Sequence, residues 1–283
     1  MRRRTVLGGI ASSAIIAMPA LVRAAAAFRL GLTPVFLDND AVVIERLRAA
    51  LSEALGEPVE LVQRRTYQEI TAALLDGTLD AAWICGYPFL QQREWLELVG
   101  VPVWRGRPFY QSYLIVGADD GAQSLADLRG GTHAFSDPDS NSGYLVTASD
   151  LSRMGETPEG FFSRTIYTYG HRNVVRAVAG ALTRSGSVDG YVWESLALVE
   201  PALTAGTRVI ARSEWLGFPP FAARADRRSS AEVEGFAEVL TTLEATPAGK
   251  DILRLLFLDR IVAGDPAWFD GIALRMADVR ARR

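Results

Sequence analysis

The order of elements between Phe28 and Ile84 limits the fold of this chain more than any other feature. Phe28–Thr33 reads as a strand, followed by a loop at Pro34–Asn39. Asp40–Leu55 places Ile44, Leu47, Leu51 and Leu55 on one side of a helix. Pro58–Val62 is a second short strand, and Tyr67–Leu75 a helix closed by Asp76-Gly77. Leu79–Ile84 is an apolar strand of the kind buried in parallel sheets. Strand, helix, strand, helix, strand is the order of an α/β layer.

The plan then starts again. Tyr110–Val116 is predicted as a long strand, Ser124–Gly130 as a short helix with a glycine stop, and Thr132–Phe135 as a strand. A helix over Ser142–Arg153, a strand at Ile166–Tyr169, a helix over His171–Leu182 and a strand at Val188–Val192 follow. In each half a helix ends near a glycine and feeds a strand containing aspartate: Gly77-Thr78-Leu79-Asp80-Ala81-Ala82 and Gly186-Ser187-Val188-Asp189-Gly190-Tyr191. Duplicated layers predict two α/β lobes with a cleft between them, where ligand sites form. After a strand at Val209–Arg212 and a break at Pro219-Pro220, the tail is helical over Ala231–Leu243, over Pro247–Leu258 and again from Pro266. It is too short for a third domain and is expected to pack on the first lobe. The expected division is residues 27–115 plus 208–283 for lobe 1 and residues 116–207 for lobe 2.

Residues 1–26 are set apart from the fold. Arg2, Arg3 and Arg4 precede a short apolar core and a small-residue exit at Ala24–Ala27, the pattern of a secretory signal. Arg3-Arg4-Thr5-Val6-Leu7 resembles a twin-arginine export signal, the alternative being an ordinary signal with three arginines at its front. Either predicts a periplasmic protein. Losing residues 1–26 removes four arginines and no acid, so the net charge moves from −3 to −7. An acidic chain without a basic run is a poor partner for nucleic acid. The lone cysteine, Cys85, rules out an internal disulfide.

The richest polar stretch is Ser136–Tyr144, between a strand and a helix. A helix start exposes unpaired N–H groups and favours negative charge. Ser140 and Ser142 add hydroxyls, Asn141 an amide, and Gly143 lets a ligand reach the backbone. Such a cluster suits a tetrahedral oxyanion, the alternative being an ordinary Asx/Ser turn with its helix cap. His171 lies at a second strand-to-helix junction and is a candidate donor, or else a cap. Tyr67 and Tyr110 suit the walls of a closing cleft, though tyrosines at such places also pack half-buried. Cys85 and Tyr87 follow the strand ending at Ile84, and the thiol is either activated by a helix start or inert. Asp189, Trp193 and Glu194 are candidates for a ligand's amino group and apolar part, Asp189 being otherwise a cap or turn residue. No His-x-x-x-His, G-x-S-x-G or paired-carboxylate pattern appears, so no metal, cofactor or enzymatic activity is expected.

Ser124–Gly130, Phe135–Leu145 and Gly170-His171 ahead of an apolar helix, supported by Tyr67 and the Gly77–Asp80 turn, carry a family likeness. From Phe28 to Leu258 the chain resembles the phosphate, phosphite and phosphonate-binding family of ABC-transporter substrate-binding proteins, of the type-2 periplasmic binding fold. The resemblance implies two lobes, each a mixed sheet flanked by helices, which close on a small oxyanion. It implies ligand contacts from Tyr67, Tyr110, Ser140, Asn141, Ser142, Gly143 and His171, with Asn141 standing where relatives have threonine. The expected partners are an ABC permease and its ATPase, the protein being a monomer. The alternative is a ligand-sensing accessory role beside a membrane histidine kinase, where a cysteine in the cleft is associated with arsenite.

Overall fold

The computed structural model describes residues 27–33 and 41–282. The export segment and the loop expected at Pro34–Asn39 lie outside the described residues. In the first part of the chain β1 (Phe28–Leu32), β2 (Val59–Gln63), β3 (Ala81–Trp83) and β4 (Leu96–Val103) alternate with α1 (Ala41–Leu55), α2 (Tyr67–Leu75) and α3 (Gly86–Gln91). β5 (Phe109–Tyr110) and β6 (Ser112–Gly117) lead into the second part. It contains β7 (Thr132–Phe135), α4 (Val146–Arg153), α5 (Pro158–Phe161), β8 (Arg164–Tyr167), α6 (His171–Ala179), β9 (Ser185–Asp189), α7 (Gly190–Val199), α8 (Pro201–Ala205) and β10 (Thr207–Arg212). The chain returns through β11 (Leu216–Gly217) and β12 (Phe221–Arg224) and ends with α9 (Ala231–Thr242), α10 (Pro247–Leu255), β13 (Arg260–Val262) and α11 (Asp270–Arg282).

Two mixed sheets result, one per lobe. The first runs β13-β4-β12-β3-β1-β2, with β1 parallel to both β2 and β3 and with β12 antiparallel to β3 and β4. The second runs β10-β6-β9-β7-β8, with β7 parallel to β8 and β9 and with β6 antiparallel to β9 and β10. The segments that cross between lobes pair with each other: Leu216 lies opposite Tyr110 and Gly217 opposite Phe109. Lobe 1 is held by apolar side chains withdrawn from water. Leu30, Ile70, Leu74 and Phe236 are fully buried, each contributing about 1.5–3 kcal/mol. α2 starts where expected because Thr66 and Glu69 form a capping box, each side chain taking the other's backbone N–H.

Three expectations change. The divisions at 115/116 and 207/208 do not separate the sheets, because Ser112–Gly117 and Thr207–Arg212 pair with each other inside the second sheet. The crossing lies outside them, at β5 and β11. Val188–Val192 is not one strand: β9 stops at Asp189, whose carboxylate accepts the N–H groups of Tyr191 and Val192 and starts α7. The two glycine-to-aspartate repeats are therefore not equivalent, since Asp80 precedes β3 and takes the Arg29 N–H. The tail also serves both lobes. α9 and α10 pack on α1, whereas α11 lies against α4 of lobe 2 as well as α3 of lobe 1.

Candidate functional site

Segments from both lobes and from the crossing meet in one buried polar cluster. The start of α2 brings Tyr67, and the residue before α3 brings Cys85. Tyr110 comes from β5, Ser136–Gly143 from the turn after β7, His171 from the first position of α6 and Asp189 from the end of β9. Tyr67, Cys85, Tyr110, Ser136, Asp137, Ser140, Asn141, Ser142, His171 and Asp189 are each between 0% and 4% exposed. Apart from the crossing residue Tyr110, Tyr67 and Cys85 belong to lobe 1 and the rest to lobe 2, so the cluster is where the lobes touch.

The turn is built on Ser140. Its hydroxyl accepts the Gly143 N–H at 3.0 Å, and residues Asn141–Leu145 form one wide π-type turn before α4. Ser136 runs alongside: its N–H bonds the Gly143 carbonyl at 3.1 Å. A Cβ at position 143 would lie 1.8 Å from Ser136 Oγ and 3.0 Å from His171 Cε1, so this close approach requires glycine. Tyr169, two residues ahead of His171, takes a left-handed φ of +53°. It is gripped by the Arg65 guanidinium of lobe 1, 5.4 Å from its ring.

Hydrogen bonds assign the protons. The Asp189 N–H donates to His171 Nδ1 at 3.1 Å, so Nδ1 is the unprotonated nitrogen. Nε2 then carries the hydrogen and donates to Tyr67 Oη at 3.2 Å, leaving the phenol its own proton to give. Burial pushes His171 down to about 3, and the ring is neutral at physiological pH. Asn141 Nδ2 donates to Tyr110 Oη at 2.9 Å, and the Ser142 side chain is a further hydrogen-bond neighbour of Tyr110. The Asn141 N–H reaches across the lobes to Cys85 Sγ at 3.2 Å, where the Tyr87 N–H and the Tyr110 hydroxyl also converge. Burial nevertheless pushes this thiol up to about 11, so it is not an activated nucleophile. The Tyr67 N–H bonds Asp137 Oδ2 at 3.2 Å, a further tie between lobes. Burial raises the Asp137 carboxyl, and it raises the Asp189 carboxyl to about 7.

Tyr67, Tyr110, Ser140, Asn141, Ser142, Gly143, His171, Asp189 and Cys85 thus come together. Ser140 and Asp189 do so largely as caps, so their side-chain oxygens already hold backbone N–H groups. Tyr87 takes part through its backbone. Trp193 and Glu194 are engaged elsewhere on α7. The indole N–H bonds Thr207 Oγ1 at 3.1 Å, and the carboxylate takes the Tyr113 hydroxyl and Arg105. They point away because Asp189 turns the chain into a helix instead of letting it run on as a strand. Ser136 and Asp137 belong to the polar stretch read from the sequence, which gives neither a role of its own. The strand-to-helix loop that contains them was the available signal, and only the close approach to Gly143 shows that Ser136 belongs to the site. Among the described residues no group of three His, Cys, Asp or Glu side chains is placed to hold a metal ion.

The family described as "ABC transporter, phosphonate, periplasmic substrate-binding protein" matches residues 30–269. The chain belongs to that family. Its fold is the type-2 periplasmic binding fold, and solved phosphonate-transporter components share it. The binding protein of an ABC phosphonate transporter from Pseudomonas aeruginosa is 21% identical with a TM-score of 0.81, covering 91% of this chain and 89% of that one. A Prochlorococcus marinus protein in complex with methylphosphonate is 15% identical with a TM-score of 0.78, covering 90% and 98%. A histidine kinase sensor domain similar to periplasmic binding proteins is 19% identical with a TM-score of 0.57, covering 84% and 98%. Membership of the phosphonate-binding family makes this an extracytoplasmic ligand-binding protein.

Proposed function

We propose that this protein captures a small phosphorus oxyanion, of the phosphonate, phosphite or phosphate kind, by closing its lobes on it, and delivers it to an ABC permease. The observation that carries this reading is the buried seam of neutral donors, Tyr67, Ser136, Asn141, Ser142 and His171, drawn from both sides of the lobe interface. A neutral donor set accepts an anion without a counter-charge, as preorganised dipoles do. Two of its bonds are easily exchanged. Cys85 Sγ is a weak acceptor for the Asn141 N–H, and an anionic oxygen competes well for that donor. Tyr67 holds a proton that His171 does not require. The neutral imidazole positions the phenol through its Nε2–H, so the histidine serves without being charged.

The test is a calorimetric and thermal-shift screen with phosphate, phosphite, methylphosphonate, a sulfonate and arsenite. A ligand at a hundred times its Kd stabilises the folded state by about 2.7 kcal/mol, which raises the melting temperature by several degrees. Ser142→Ala is expected to weaken phosphorus-oxyanion binding more than Cys85→Ala. If no oxyanion shifts the melt, the reading is wrong. If Cys85→Ala is the damaging change and arsenite the ligand, the role is that of a thiol-based sensor, the second reading that the sensor-domain likeness supports.

A further inference from the structure

Two side-chain atoms in the cluster have no hydrogen-bond partner although they are buried: Ser136 Oγ and Asn141 Oδ1. They differ in what they can accept from a ligand. A hydroxyl donates or accepts, whereas an amide oxygen only accepts. The amide faces Tyr110 with its N–H, Nδ2 donating to Tyr110 Oη at 2.9 Å. Its Oδ1 is left as a buried acceptor in need of a donor, a deficit of about 1–3 kcal/mol. A fully ionised tetrahedral oxyanion brings only lone pairs and worsens this deficit. A ligand with one O–H removes it.

Charge points the same way. No arginine or lysine takes part in the hydrogen bonds or ion pairs found for Tyr67, Cys85, Tyr110, Ser136, Asp137, Asn141, His171 or Asp189. The titratable groups around Asn141 are the Cys85 thiol before α3, the phenols of Tyr67 and Tyr110, His171 on α6, and the carboxyls of Asp137, Asp139 and Asp189. None is a cation at neutral pH, and three are acids. Withdrawing a charge from water costs energy that rises steeply with its size, so a dianion is rejected more strongly than a monoanion.

Resting on the oxyanion reading above, we infer that the site takes its ligand singly charged and protonated, with the ligand's O–H donated to Asn141 Oδ1. Asn141 is then the residue that sets specificity. It favours the hydrogen-phosphonate type of ligand over sulfonates of the same charge and shape, which carry no proton.

The test compares methylphosphonate with methanesulfonate by calorimetry on the purified protein. Methylphosphonate is expected to bind at least about tenfold more tightly. Its apparent Kd should rise about tenfold per pH unit once the pH passes the ligand's second ionisation, because the competent fraction falls at that rate. Asp189 titrates in the same range, so the pH series is repeated in Asp189→Asn, which keeps an N-cap but cannot ionise. The slope should persist there. Asn141→Thr, whose hydroxyl can turn to donate, should bring the two ligands closer together, provided its melting curve shows a folded protein. Equal affinity for the two ligands overturns the inference alone, as does methylphosphonate affinity that holds or grows with pH. Unchanged discrimination in folded Asn141→Thr also overturns it. Failure of every oxyanion to bind overturns the underlying functional reading as well.

Discussion

Gly143→Ala is the perturbation that disturbs the site most while leaving every polar side chain in place. The added Cβ would lie 1.8 Å from Ser136 Oγ, 2.7 Å from Ser136 Cβ and 3.0 Å from His171 Cε1. Rotating the Ser136 hydroxyl away relieves only the first contact. The second needs a backbone shift, which the Ser136 N–H bond to the Gly143 carbonyl opposes. Overpacking of this kind costs about 1–3 kcal/mol. For a chain of this size each kcal/mol lowers the melting temperature by roughly 2–4 °C, so a fall of about 2–12 °C is expected. Because the shift moves the turn away from His171 and Tyr67, methylphosphonate affinity should drop at least about tenfold when measured by calorimetry. Adding Ser136→Ala removes the 1.8 Å contact but not the 2.7 Å one, so it should recover only part of the melting temperature. A Gly143→Ala protein that melts and binds like the parent would refute the packing argument and the placement of the ligand at this turn.

Tyr67→Phe leaves the His171 Nε2–H buried without its acceptor; it should cost about 1–3 kcal/mol in denaturant melts and weaken methylphosphonate about tenfold or more, and unchanged affinity would remove the phenol from the site. Stability should fall as pH drops from 6.5 towards about 3, because His133 and His171 are held neutral in the fold while the unfolded chain protonates them. Asp189 opposes this trend, its folded carboxyl binding a proton between about 7 and 3.8, so Asp189→Asn should make the acid loss of melting temperature steeper, and a shallower curve would contradict the assignment. Arg275 on α11 holds Glu214, Asp150, the Ser149 hydroxyl and the Val146 carbonyl at the start of α4. Arg275→Met should cost roughly 1.5–3 kcal/mol of stability, and a parental melting curve would show that α11 does not fasten lobe 2.

The α/β alternation was legible because lobe 1 buries both faces of its sheet, so Ala81–Ile84 reads as an unbroken apolar run. The Ser140–Gly143 turn was legible as a helix start because Ser, Asn and Gly suit that place, whether as caps or as donors to an anion. Strand pairing was not. β10 joins the second sheet through β6, and β6 through β9, and nothing within either segment records that choice. The two-residue strands β5 and β11, which cross between lobes, are too short to carry a period. Val188–Val192 misleads as a strand because valine and tyrosine favour strands, and Asp189 decides the matter by capping α7. Ser140 and Asp189 read from the sequence either as ligand contacts or as caps, and their oxygens hold backbone N–H groups. The sequence gives Ser136 no role of its own because its place depends on a tertiary contact with Gly143.

A crystal structure of the protein grown with methylphosphonate tests the central claim most directly. The account predicts the phosphonate between the lobes, bonded by the Tyr67 hydroxyl and the Asn141 N–H, with Cys85 Sγ released from that N–H. A ligand seated on the outer surface, or a cleft in which Tyr67, Asn141 and His171 keep only one another as partners at saturating methylphosphonate, would contradict it.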